Sequence, residues 1–217
     1  MVDERLWHTR EHFVAYMDIM GFKDLIYREN KLFIYDKLSS LYKHAYIHQS
    51  NTKLVIFSDS IILISSSDES EKAAIDLLKQ TQSILLFAIE AGIPIKGAIA
   101  YGELTIDDEY SVCFGIPLID AYELHNEMQL YGVVLHHTAE NRLSKLNVIK
   151  NLERYFILDY PVPMKSGEIT HYLVNWTRHP EELQVSLSNF YHYISGKPRV
   201  YIDNTLKFIR WITEKKV

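Results

Sequence analysis

The sequence is poor in several residue types, and each shortage excludes a class of protein. Cys113 is the only cysteine among 217 residues, so an intrachain disulfide and thiolate zinc or iron–sulfur sites are excluded. Eight glycines and six prolines are too few for long disordered linkers. The 23 basic residues are outnumbered by 28 acidic ones, for a net charge of -5. This balance lacks the basic footprint of a nucleic-acid-binding protein.

Long apolar stretches are also missing. The longest apolar runs are far shorter than a membrane span, and residues 1–12 are charged rather than of signal-peptide type. We therefore expect a cytoplasmic protein without membrane insertion. Hydrophobic residues still make up 47% of the chain, which is enough for a real core, and the length fits one domain with an extension.

The order of apolar patterns predicts the fold. Up to residue 137 the elements read β-α-β-β-α-β-β-α-β, which contains the βαββαβ arrangement of a ferredoxin-like, palm-type core. We therefore expect an α+β domain over residues 1–150, with a mixed antiparallel sheet flanked by helices. Residues 151–217 predict a C-terminal extension packed on the same domain. It comprises a strand pair, interrupted by "YPVPMKSGE" at 160–168, and two helices.

Two local predictions bear on the site. Apolar residues recur at helical spacing from Phe22 to about His48, which predicts one or two helices with a break near Asn30. The β-rich runs 53–57 and 60–66 meet at Ser58-Asp59 and predict a hairpin.

Two aspartates stand out because each follows an apolar strand-like run. Asp18 closes "FVAYMD", and Asp59 follows "KLVIFS". A charge in such a place is costly unless it is paired or binds a metal. In a palm-type sheet the first strand lies beside the β2–β3 hairpin, so the two carboxylates are expected to converge. Structural roles are the alternative: Asp18 as a helix cap, and Asp59 as an ordinary turn residue.

Converging carboxylates repel each other unless a cation lies between them. Oxygen-only ligands favour Mg²⁺ or Mn²⁺. Such ions stay partly hydrated and complete their coordination with substrate phosphates, which implies a nucleoside triphosphate. A two-metal site then activates an attacking hydroxyl and stabilises the leaving oxygen.

Four stretches resemble the motifs of class III nucleotidyl cyclases, in the family's order. "YMDIMGF" is similar to the family's first metal motif and "FSDSIILIS" to its second. "IPIKGAIAYGEL" and "FGIPLIDAYELHN" are similar to the later strand pair and helix. The two aspartates lie 41 residues apart, close to the family's usual spacing. The resemblance covers roughly residues 12–137.

The resemblance implies roles for individual residues. Asp18 and Asp59 would bind two divalent ions, Mg²⁺ or Mn²⁺, with the backbone carbonyl of Ile19 as a further ligand. Gly21 and Phe22 would leave room for the triphosphate beside backbone N–H groups. The implied reaction is attack of the ribose 3′-hydroxyl on the α-phosphate with loss of pyrophosphate.

The departures from the family pattern concern the base and the transition state. Purine cyclases read the base with polar residues at two positions that are Val55 and Val112 here. The family's transition-state Asn and Arg correspond to Ile119 and Glu123. Lys96, at an Arg-like position of the third motif, is a candidate contact to base or phosphate.

Three interpretations follow. The loss of purine readers suits a smaller base, and the chain resembles the pyrimidine cyclases of bacterial Pycsar anti-phage systems, which make cyclic UMP or cyclic CMP for a downstream effector. We expect UTP, or else CTP, as substrate, and a homodimer with its sites at the interface. The alternative is an inactive cyclase-like module for nucleotide binding or interaction. A diguanylate cyclase is disfavoured because "IFSDS" does not match that family's hairpin.

Overall fold

The structure is a computed structural model that describes residues 7–47, 51–67, 70–153, 155–192 and 194–215. The expected helix end near His48 lies outside these residues. The strands and helices follow one another in this order: β1 (Trp7–Ile19), α1 (Phe22–Arg28), α2 (Lys31–Ile47), β2 (Thr52–Phe57), β3 (Ser60–Ser65), α3 (Glu71–Glu90), β4 (Ile95–Asp107), β5 (Val112–Gly115), α4 (Ile116–Glu127), β6 (Gly132–Leu135), α5 (His137–Lys145), α6 (Ile149–Leu152), β7 (Ile157–Met164), β8 (Gly167–Val174), α7 (Pro180–Asn189) and α8 (Arg199–Lys215).

The sheet confirms the predicted α+β fold with a palm-type core. Its strands lie in the order β2-β3-β1-β4-β6-β8-β7, and β5 pairs with β4 outside this path. β1 is antiparallel to both β3 and β4, so the four strands of the βαββαβ unit have the ferredoxin-like arrangement. Only β4 and β6 pair in parallel among these strands of the described chain. The predicted hairpin and the helix break near Asn30 are both present.

β1 is longer than the sequence predicts. The apolar run indicates a strand over residues 13–20, whereas the strand begins at Trp7 and pairs with β4 in continuous register, from Trp7 opposite Asp107 to Ile19 opposite Ile95. The first half of β1 is polar, so it carries no hydrophobic periodicity. Its conformation is imposed by the long partner strand, and such tertiary pairing often overrides local β-propensity.

Side chains alternate along β1 between two apolar clusters. Phe13, Ala15 and Met17 point into the large core beneath α2 and α3, as the two-residue period of a strand requires. Val14 lies on the opposite face, in a small buried cluster with Ile64, Leu104 and Ile106. Because this second cluster is small, much of that face is left for polar residues.

α3 is the longest helix and covers the large core. Ser70 caps its N-terminus by accepting a hydrogen bond from the Ala73 N–H, as its sequence predicts. Ten of its residues are buried. None of the helices that the structure describes combines the length and the hydrophobicity that a membrane crossing requires.

The C-terminal extension continues the same sheet. β8 pairs with β6 through Val134 and Leu173, and β7 forms the far edge. The predicted interruption by "YPVPMKSGE" is shorter than expected, because Pro161 and Pro163 lie inside β7. An edge strand accepts proline because one side of its backbone needs no sheet partner. The division of the chain at residue 150 stays a prediction.

The close pairing of β1 and β4 yields the first testable prediction. Gly97 is buried opposite Met17, and an added Cβ would lie 2.3 Å from the Tyr16 carbonyl oxygen. We expect Gly97→Ala to lower the free energy of unfolding by about 2–3 kcal/mol, because the backbone there has no room to shift. Urea denaturation measures this change.

Gly102→Ala on the same strand is the matched control. A Cβ at Gly102 would meet only Pro117, at 3.4 Å, which is ordinary contact, so this variant should unfold close to wild type. Equal stabilities for the two variants would contradict the assigned strand register.

Candidate active site

The two aspartates are joined through the backbone. Asp18 is the penultimate residue of β1, and Asp59 lies in the two-residue turn between β2 and β3. The Ile19 N–H donates to the Asp59 carbonyl oxygen at 3.0 Å. This hydrogen bond fixes the turn against the end of β1, and the two carboxylates interact electrostatically.

The capping alternative for Asp18 does not fit the structure. The N-cap of α1 is Gly21, with φ 75° and ψ 14°, whereas Asp18 is still within β1. Gly21 is required there because the left-handed conformation is strained for most side chains. In the hairpin turn, Ser58 rather than Asp59 adopts the left-handed conformation, with φ 55°. Neither local turn therefore depends on an aspartate side chain.

A row of polar residues crosses the sheet at this level. Asp18 is directly opposite Ser60 on β3 and Lys96 on β4. Residues directly opposite one another in antiparallel strands project from the same face. The row therefore brings a carboxylate, a hydroxyl and an ammonium group to one face, beside the turn that carries Asp59.

The electrostatics of Asp18 indicate uncompensated negative charge. Burial and repulsion from Asp59 raise the pKa of Asp18 to about 6, although Lys96 opposes the shift. A carboxylate whose ionised form is destabilised in this way gains most from a nearby cation. The local charge of the folded chain thus favours cation binding.

The donor set fits a hard divalent cation. Two carboxylates supply oxygen ligands of the kind that Mg²⁺ and Mn²⁺ prefer. Within the described residues, no group of three or more His, Cys, Asp or Glu side chains is arranged to hold a metal. Asp18 and Asp59 would therefore need further ligands, such as backbone carbonyl, water or phosphate oxygens.

Hydroxyl groups anchor the aspartate segments. The Tyr42 hydroxyl, on α2, donates to the Ser58 carbonyl oxygen at 2.7 Å and ties the hairpin turn to the helix. The Tyr16 hydroxyl is 2.8 Å from Ser60 Oγ. Burial raises the pKa of both tyrosines, so both stay protonated and able to donate. Tyr16 lies two residues before Asp18, so the two-residue period of a strand places both on one face, and the sequence could have indicated Tyr16. No sequence pattern links Tyr42 to the site.

Lys96 is held inside the protein. It is only 5% exposed, and its Nζ lies 5.4 Å from the centre of the Tyr201 ring on α8. Burial, together with Lys165, lowers the pKa of Lys96, whereas Asp18 and Glu127 raise it. The ammonium group therefore interacts electrostatically with Asp18 and lies over the Tyr201 ring. Its predicted contact with substrate stays a prediction.

α4 covers the neighbouring part of the site. Its His125 is buried and packs on the Tyr16 ring, with ring centres 4.8 Å apart. Burial lowers the pKa of His125 to about 4, so the imidazole is neutral at physiological pH. Tyr122, on the same helix, contacts Tyr16 edge-on. The sequence places Asp120, Glu123 and His125 on the helix beside the predicted site, but its periodicity does not decide which of them faces a substrate.

The remaining predicted site residues differ in their surroundings. Phe22 opens α1 directly after Gly21, and an added Cβ at Gly21 would meet nothing within 4 Å. Val55 packs against the small apolar cluster of Val14 and Ile64, and Val112 begins β5 as a 44% exposed residue. Their proposed contacts with a nucleotide stay predictions.

The pKa of Asp18 leads to a stability prediction. Because its folded-state pKa lies above the usual 3.8, ionisation of Asp18 destabilises the fold, and stability is lost as pH rises from about 4 through about 6. We expect Asp18→Asn to raise the unfolding free energy of the metal-free protein at pH 8 by about 1–3 kcal/mol. Its effect at pH 4 should be much smaller.

Thermal denaturation in EDTA at both pH values measures the effect. Asp36→Asn removes an exposed carboxylate from α2 and serves as the matched control, with little change expected. A pH-independent effect of Asp18→Asn would contradict the charge repulsion described above.

Comparison with known proteins agrees with the fold. No protein-family model and no curated protein sequence matches the chain. Solved structures do match, and three of them share 12–14% sequence identity with it. The catalytic core of a rhodopsin-guanylyl cyclase with converted specificity, in complex with ATPαS, has a TM-score of 0.59, with 78% of this chain and 98% of that chain covered.

Two guanylyl cyclase domains complete the comparison. The non-canonical dimeric domain of the RhoGC fusion protein from the aquatic fungus Blastocladiella emersonii has a TM-score of 0.59, with 77% of this chain and 96% of that chain covered. The domain of RhGC from Catenaria anguillulae, in complex with GTP, has a TM-score of 0.57, with coverage of 77% and 98%. The chain therefore has the fold of nucleotidyl cyclase catalytic domains.

Proposed function

We propose that the protein is a nucleotidyl cyclase that converts a nucleoside triphosphate to its 3′,5′-cyclic monophosphate and pyrophosphate. One observation carries this proposal: in a sheet of the cyclase type, burial and repulsion from Asp59 raise the pKa of Asp18 to about 6. A protein with no catalytic or cation-binding role would gain no stability from two carboxylates that repel each other. The aspartates thus fit a divalent-cation site.

The reaction is an intramolecular displacement. The oxygen of the ribose 3′-hydroxyl forms a bond to the α-phosphorus, the bond from that phosphorus to the β-phosphate bridging oxygen breaks, and the hydroxyl proton passes to solvent. Two divalent ions, when bound, would lower the pKa of the hydroxyl and neutralise the leaving pyrophosphate.

The chain itself contributes position and charge. Asp18 and Asp59, with the Ile19 carbonyl, would hold the ions. The hydrogen bond from the Ile19 N–H to the Asp59 carbonyl keeps the ligand segments together. Positioning of this kind supplies much of the catalysis of phosphoryl transfer.

A pyrimidine triphosphate is the proposed substrate, UTP or else CTP. The positions at which purine cyclases read the base are Val55 and Val112, and neither side chain forms hydrogen bonds. A smaller base tolerates this loss better than a purine. The resemblance to Pycsar cyclases extends the proposal to anti-phage signalling, in which the cyclic product would activate a cyclic-nucleotide-responsive effector.

A homodimer with sites at the interface completes the proposal. β5 and α4 expose large apolar side chains, of which Phe114 is 59% and Ile116 67% exposed. Exposed apolar groups close together in a soluble fold are typical of protein interfaces. One of the structurally similar cyclase domains is a non-canonical dimer, which supports self-association of the fold but not this particular interface. A two-fold dimer would have two equivalent sites.

An inactive nucleotide-binding or interaction module is the second candidate, because one observation favours it. Ile119 and Glu123, at the positions of the family's transition-state Asn and Arg, are exposed on α4 and cannot make the same phosphate contacts. The activity assay below distinguishes this module from the enzyme.

The assay incubates the protein with ATP, GTP, CTP or UTP and Mn²⁺ and detects cyclic monophosphates by mass. We expect cyclic UMP, or else cyclic CMP, as the main product. Asp18→Ala and Asp59→Ala should each reduce turnover by about 10³-fold or more, because the metal ions lose a ligand.

Asp36→Ala, which removes an exposed carboxylate of α2, should leave turnover unchanged. Nucleotide binding without any cyclic product would favour the inactive module. Full activity in either site variant would refute the role of that aspartate.

The dimer has its own test. Phe114→Asp places a charge in the exposed apolar surface and should convert a dimer to a monomer in sedimentation experiments, with loss of turnover. Val185→Asp alters an equally exposed apolar residue of α7 and should leave both properties unchanged. A wild-type monomer at micromolar concentration would contradict the proposed assembly.

A further inference from the structure

An exposed aromatic ring extends the row of residues that contains Asp18. Phe57 is the last residue of β2 and lies directly opposite Ser60 on β3, and Ser60 lies directly opposite Asp18 on β1. Residues that face one another in antiparallel strands project from the same side of a sheet. The Phe57 ring and the Asp18 carboxylate therefore stand on one face, with Ser60 between them.

The Phe57 ring does not belong to the core. It is 79% exposed, and it packs against neither of the two apolar clusters of the described chain. A single exposed apolar residue is ordinary on a protein surface, but this one lies in the row of a candidate metal ligand. The ring is therefore accessible to a ligand that is bound beside Asp18.

The helix on this face leaves β2 uncovered at Phe57. α4 packs on β1 and β4, where its Tyr122 contacts the Tyr16 ring edge-on. β3 and β2 lie on the other side of β1 from β4. Val55, two residues before Phe57 on β2, projects from the same face. The end of β2 thus offers an apolar surface beside the aspartates.

The backbone that carries Phe57 is held in place. The Tyr42 hydroxyl donates to the Ser58 carbonyl oxygen at 2.7 Å, and the Ile19 N–H donates to the Asp59 carbonyl oxygen at 3.0 Å. Phe57 directly precedes these two turn residues. A ring on a restrained turn loses little conformational freedom when it binds a flat ligand, so less binding free energy is lost to ordering.

The spacing along the row suits a nucleotide. Neighbouring strands lie 4.7–4.9 Å apart, so two strand intervals separate the backbones of Phe57 and Asp18 by roughly 10 Å. In a nucleoside triphosphate, the ribose separates the base from the phosphate chain by a comparable distance. Phosphates bound through metal ions at Asp18 and Asp59 would therefore leave the base within reach of Phe57.

A site without polar base readers needs another source of affinity for the base. The side chains of Val55 and Val112, at the positions where purine cyclases read the base, donate and accept no hydrogen bonds. An aromatic ring binds a base through its flat face instead, and every base has such a face. Phe57 supplies this kind of contact.

We propose that the nucleobase of the substrate stacks on the Phe57 ring of the subunit whose Asp18 and Asp59 hold the metal ions. The inference rests on the proposed cyclase function and adds to it the residue that binds the base. Phe57 is a substrate-binding residue in this account and has no part in the chemical step.

Calorimetric titration with the 3′-deoxy forms of ATP, GTP, CTP and UTP, in the presence of Mn²⁺, tests the proposal. These analogues lack the attacking hydroxyl, so their binding is measured without turnover. We expect Phe57→Ala and Phe57→Leu to bind the tightest analogue about tenfold or more weakly than wild type. Phe57→Tyr keeps a flat ring and should bind it as wild type does.

Inorganic tripolyphosphate separates the contribution of the base from that of the phosphates. Because it carries no base, wild type and Phe57→Ala should bind it equally in Mn²⁺. Nucleotide binding that Phe57→Ala leaves unchanged, or tripolyphosphate binding that it weakens, would overturn the Phe57 contact alone. If wild type bound neither the analogues nor tripolyphosphate, the proposed function would fall with it.

Tyr155→Ala is the matched control. Tyr155 is 71% exposed and lies just before β7, at the opposite edge of the sheet from β2, so this variant should bind every probe as wild type does. Sedimentation should show the same oligomeric state for Phe57→Ala and wild type. Conversion of a dimer to a monomer by Phe57→Ala would assign the ring to the subunit interface and overturn the proposal.

Discussion

The repulsion between the Asp18 and Asp59 carboxylates is the constraint on which the site depends. The hydrogen bond from the Ile19 N–H to the Asp59 carbonyl joins the end of β1 to the β2–β3 turn, so the two aspartate-bearing segments cannot separate without breaking it. Tyr42 adds a second restraint on the turn. The fold thus maintains an unfavourable charge arrangement that the proposed divalent cation would relieve.

The C-terminal extension contributes to the surroundings of this site. Tyr201 on α8 lies beside the Lys96 ammonium group, which in turn opposes the raised pKa of Asp18. The neighbouring Thr205 hydroxyl accepts a hydrogen bond from the Tyr131 N–H at 2.9 Å, just before β6 begins. Residues outside the cyclase-like motifs therefore fix both the strand that pairs with β4 and the environment of Lys96.

Sequence patterns predicted the elements whose periodicity or capping is local. Asn30 marked the break between α1 and α2, where its side chain accepts from the Phe33 N–H. The polar half of β1 and the prolines of β7 were not predicted, because strand partners far along the chain determine both. The aspartates were found as charges after apolar runs, whereas Tyr42 and Tyr201 reach the site only through tertiary packing.

The pKa of the Asp18 carboxyl group, measured by NMR with and without Mg²⁺, tests the central claim most directly. The account predicts a value near 6 in the metal-free protein and a clear decrease when Mg²⁺ is added, because the cation stabilises the ionised carboxylate. An Asp18 that titrates near the ordinary value of 3.8 and ignores Mg²⁺ would contradict it.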